Sequence, residues 1–91
     1  MYSLEELTTN LKIVEKEIKS LEKKLQTATE EYEKACKIYE AENSLYNEST
    51  VILTRATITN LNAELFLKRD RKKTFEKLIE LEQEKSGMSN D

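Results

Sequence analysis

Residues 42–50 read ENSLYNEST, and the fold turns on whether the backbone reverses there. Asn43, Ser44, Asn47, Ser49 and Thr50 compete with a helical backbone for hydrogen bonds and also cap new helices well. No comparable cluster interrupts the chain on either side. The heptad pattern that reaches this point stops at Tyr46, and Ser49 stands where the next apolar residue should be. A chain running straight through would make one helix of about 80 residues, roughly 120 Å long. A reversal instead gives two antiparallel helices of roughly 55–60 Å each. The sequence has one Gly and no Pro, so the turn signal rests on Asn and Ser alone. The pattern predicts a single helical domain, 1–91, with a helix over about 3–44, a turn over about 43–50, a helix over about 50–86 and a frayed tail at 87–91.

Upstream of the turn the signal is a seven-residue repeat. Its a positions are Leu4, Leu11, Ile18, Leu25, Tyr32 and Tyr39, and its d positions are Leu7, Val14, Leu21, Ala28, Ala35 and Glu42. This 3,4 spacing puts a narrow apolar seam along one side of a helix, the pattern of a coiled coil. Beyond Leu25 the seam alternates alanine with tyrosine, so small residues admit a neighbouring helix and rings fill the space between. The helix start is marked by Ser3 as cap, Glu6 as the other half of a capping box, and Tyr2 placed to staple against Leu7. At the far end Lys85, Gly87 as a left-handed cap residue and Met88 folded back on the last turn suggest a stop.

The second helix is apolar on two sides. At 100° per residue Val51, Ile58, Leu61, Leu65, Phe66 and Ile79 fall on one face. Ile52, Leu53, Ala56, Ala63, Leu67, Leu78 and Leu81 fall roughly opposite. One facing helix covers the first group and leaves the second in water. At about 25 cal/mol per Å² of apolar surface, that leaves substantial stabilisation unclaimed, and such a surface usually marks a contact. Residues 49–59 are dense in β-branched side chains, which favour strands. The alternation is broken by Val51 and Leu53 and no companion strand is visible, so the helical reading is preferred.

Composition supports an all-α chain. Charged residues make up 36% and hydrophobic residues 37%, rich in the Glu, Lys and Leu of long helices. The net charge of −3 provides no overall basic field for nucleic acid. Cys36 is the one cysteine, which excludes an internal disulfide and favours a reducing, cytoplasmic setting. No secretory signal and no transmembrane span are legible.

Catalytic chemistry is not indicated. There is no histidine, hence no commonest general base or metal ligand. Cys36 has only Lys34 and Lys37 nearby to activate it, adjacent carboxylates such as Glu30 and Glu31 point to different sides of a helix, and Gly87 forms no phosphate loop. No enzyme activity, cofactor or metal is expected. The segment 67–77 gathers Lys68, Arg69, Arg71, Lys72, Lys73 and Lys77 against Asp70 and Glu76. It is expected to be a solvated face pairing with acidic turns such as residues 30–33, with an acidic protein or nucleic-acid phosphate as alternative partners.

The expected fold is an antiparallel two-helix coiled-coil hairpin, completed by dimerisation into a four-helix bundle. The expected function is non-enzymatic protein–protein interaction, as an adaptor, chaperone or inhibitor, with the chain itself or a larger protein as partner and no membrane. A small nucleic-acid-binding bundle using the basic segment and a scaffolding rod of straight helices are the alternatives.

Overall fold

The structure, a computed structural model, describes residues 2–89, without the side chains of Ser86, Met88 and Ser89. Two helices account for it: α1, Leu4–Ala41, and α2, Leu45–Ser89, packed against each other as an antiparallel hairpin.

The capping box forms as the residue types require. The Glu6 amide donates to Ser3 Oγ at 3.1 Å, and the Ser3 amide donates back to Glu6 Oε2 at 3.5 Å, so two amides lacking helical partners are satisfied reciprocally. Tyr2 stays largely exposed, so a staple to Leu7 adds little.

The reversal is confined to Glu42, Asn43 and Ser44, tighter and earlier than the predicted 43–50. Ser44 is the cap of α2: its Oγ accepts from the Asn47 amide at 3.1 Å. Asn47 then sends its side-chain amide back to the Glu42 carbonyl at 2.9 Å, which also accepts from the Ser44 amide at 2.9 Å. The carbonyl left over at the end of α1 and an amide left over at the start of α2 thus meet polar partners without a glycine. Among the described residues none has a positive φ. Asn47, Ser49 and Thr50 belong to the helix rather than the turn. Ser49 and Thr50 donate to the Tyr46 carbonyl at 2.6 and 3.2 Å.

The same device carries the β-branched stretch as helix. Thr54, Thr57 and Thr59 each bond a carbonyl four residues back, at 2.9, 3.0 and 3.1 Å, so no hydroxyl there competes for a different backbone path. Downstream, α2 continues through Gly87, which lies within the helix with no left-handed conformation. The predicted C-cap is therefore absent. The Met88 contact, and Asn90 and Asp91 of the predicted tail, lie outside the described residues.

The chain divides into two compact units. In one, α1 through Lys19 lies against α2 from Phe66 onward; Leu7, Val14 and Ile18 are its buried seam residues. In the other, residues 20–65, the buried residues are Leu21, Ala28, Ala35 and Leu65, the last only 1% exposed. Each large aliphatic side chain so buried contributes about 1.5–3 kcal/mol. The α1 heptad is thereby confirmed, except at its ends: Leu4 and Glu42 are exposed, because neither has helix beyond it to complete a layer.

Candidate interaction surface

α2 has its own heptad, visible in burial. Val51, Thr54, Ile58, Leu61 and Leu65, then Lys68, Lys72, Phe75, Ile79 and Glu82, are all buried or half-buried, alternating by three and four residues. Four of the five positions of this seam before Lys68 are thus apolar, Thr54 being the exception, and three of the next five are charged. The seam keeps a 3.5-residue period, so it drifts about 20° per heptad against an ideal helical wheel. That drift corrects two expectations. Phe66, grouped with the facing side, is 71% exposed, because the seam has rotated away from it. Leu78, grouped with the opposite side, is half-buried, because the seam has rotated toward it.

The face pointing away from α1 is the notable one. Ile52, Leu53, Ala56, Ala63, Leu67 and Leu81 are all exposed, as the doubly apolar pattern implied; Leu53 and Leu67 stand 66% and 65% in solvent. The same face also carries Leu45, Tyr46 and Phe66, which the wheel did not assign to it. Their signal was available in the sequence: apolar pairs at 45–46, 52–53 and 66–67 recur at multiples of seven. With Ala56 and Ala63 between them they form an outer stripe along α2. From Asp70 onward that stripe turns polar, with Leu81 the exception among the described side chains.

The six basic residues do not assemble into a patch. In the α2 heptad each takes a different position, so they ring the helix. Lys68 and Lys72 sit in the seam itself, with stems half-buried and heads turned out to Glu17 at 2.6 Å and Glu15 at 3.8 Å. Their partners are therefore these two glutamates of α1, not the acidic turn at 30–33. Pairing in each unit joins residues nearly equidistant from Asn43, and this fixes the hairpin register: Arg55 opposite Tyr32, Lys68 opposite Glu17. Lys77 pairs with Glu80 at 3.9 Å within α2, and Arg69 is also engaged. Arg71 and Lys73 are exposed.

Among polar groups of the second unit, Arg55 Nη2 donates to Tyr32 Oη at 3.3 Å and its guanidinium lies 5.9 Å from the ring centroid. The hydrogen bond to Tyr32 raises the Arg55 pKa above its ordinary value. Cys36 is half-buried as a free thiol. No group of three or more Cys, Asp or Glu is placed to hold a metal ion among the described residues, and no helix there is long and apolar enough to cross a membrane. A depression lined by Lys23, Thr27, Ala28, Glu31, Thr57 and Leu61 lies open in the second unit, without convergent catalytic groups.

Comparison with protein-family models, curated proteins and solved structures finds no match.

Proposed function

We propose that the chain is a non-enzymatic protein–protein interaction module, of adaptor, chaperone or inhibitor type, that works through helix-on-helix contact. The observation carrying this reading is the outer stripe of α2, with Leu53, Phe66 and Leu67 in solvent on the side away from α1. Large apolar side chains grouped on one exposed helix face gain stability when covered, and such a surface often marks a contact. The lone half-buried Cys36 favours a reducing, cytoplasmic setting.

The test compares the native chain with Leu53→Glu and Leu67→Glu, by solution mass over a dilution series and by affinity capture from the native lysate. The variants should remain helical and lose association. A native chain that stays monomeric and retains nothing specific to the apolar stripe would overturn the reading.

A further inference from the structure

We infer that the outer stripe pairs with the same stripe of a second copy, antiparallel, about a two-fold axis passing between Thr59 and Asn60. This deepens the proposed function and rests on the stripe being a contact surface. α2 is one uninterrupted helix, so its register orders the stripe directly. Read outward from the point between 59 and 60, the stripe is palindromic from Ile52 to Leu67; beyond it Leu45 and Tyr46 have Thr74 and Lys73 as their mirror positions. Thr59 and Asn60 are polar, Ala56 and Ala63 are small, and the pairs Ile52–Leu53 and Phe66–Leu67 are large and apolar. All eight side chains are exposed.

A two-fold interface requires that residue i meet j while j meets i. Reversing one copy about the 59/60 axis satisfies this at every layer from Ile52 to Leu67. Ile52 meets Phe66 of the second copy and Leu53 meets its Leu67. Ala56 meets Ala63, so the backbones can approach closely at the middle of the contact. Along one flank of the same pairing, Glu48 meets Arg69, both exposed, giving opposite charges at both ends. Thr59 and Asn60 each meet their own copies, where the Asn amides can donate and accept across the axis.

That polar centre selects the register. Sliding one copy by a heptad sets Ile52 and Leu53 against Thr59 and Asn60, leaving the amides facing hydrocarbon. The palindrome is what names a second copy as occupant. An unrelated partner requires the apolar stripe but imposes no mirror order on it. The assembly brings two hairpins together through α2, a four-helix arrangement in which α1 lies on the outside.

Cysteine cross-linking reads the orientation. In a Cys36→Ser background, Leu53→Cys and Leu67→Cys are prepared as separate variants and oxidised alone and mixed. Antiparallel pairing gives disulfide-linked dimer in the mixture, at least roughly tenfold above either variant alone. Equal self-linking of each variant overturns the antiparallel arrangement. Sedimentation of the unsubstituted chain decides self-association independently of the cysteines, and a monomer up to millimolar concentration overturns the inference outright. In that event, capture from lysate that still depends on Leu53 preserves the interaction module with a foreign partner, so the two failures are distinguishable. In a dimer, Leu53→Glu should weaken association roughly 100-fold.

Discussion

The Lys68 ammonium stands 2.6 Å from the Glu17 carboxylate while its stem occupies a seam position between Leu65 and Lys72. The pair is 26% and 40% exposed, so water screens it and its net worth is small, about 0.2–1 kcal/mol. Glu17→Gln should lower stability by no more than that. Lys68→Leu should instead raise it by about 1 kcal/mol, because a branched apolar side chain fills the layer that the lysine stem only lines. Urea unfolding of both variants checks this; a destabilised Lys68→Leu would mean that the ion pair, not burial, dominates the site.

Adjacent residues 65 and 66 should behave oppositely. Leu65 is 1% exposed and Phe66 is 71% exposed. Leu65→Ala should lose about 2–4 kcal/mol. Phe66→Ala, measured under conditions where the chain is monomeric, should change stability by less than about 0.5 kcal/mol. Thermal unfolding followed by circular dichroism separates them.

Lysines 72 and 73 give a parallel contrast for charge. Lys72 is half-buried and reaches Glu15, while Lys73 is exposed. Lys72→Glu should destabilise the hairpin by about 1–3 kcal/mol by setting like charges together in the seam. Lys73→Glu should be nearly silent. A role in binding phosphate predicts instead that both substitutions weaken nucleic-acid affinity alike, without a stability difference.

At the turn, Ser44→Ala should cost about 1 kcal/mol through loss of the α2 cap. Asn47→Ala removes the donor to the Glu42 carbonyl and should cost a comparable amount. The double variant should fall short of the sum, because both side chains serve one backbone junction. Denaturant midpoints of the three variants test this.

The sequence made the hairpin legible where several signals agreed: the α1 heptad, the capping box and the Asn/Ser cluster. It was less legible where one signal stood alone. The turn came out as three residues because Ser and Thr in the first turns of a helix can satisfy their own hydroxyls on the backbone, which residue type alone does not reveal. The wheel misplaced Phe66 and Leu78 since it assumed a straight helix, whereas the seam follows its 3.5-residue period. Gly87 illustrates the limit of composition: a residue able to end a helix is not obliged to. The basic segment was identified, but its partners depend on hairpin register, which needs both helices at once.

The junction at Glu42, Asn43 and Ser44 adopts only conformations open to any L-amino acid. Nothing in its stereochemistry therefore forbids those three residues from joining α1 and α2 end to end; at the junction the Ser44 hydroxyl and the Asn47 side-chain amide, with the backbone bond from Ser44 to Glu42, favour the fold-back that the buried seam then holds. Removing both would make this the hinge at which two molecules could exchange arms.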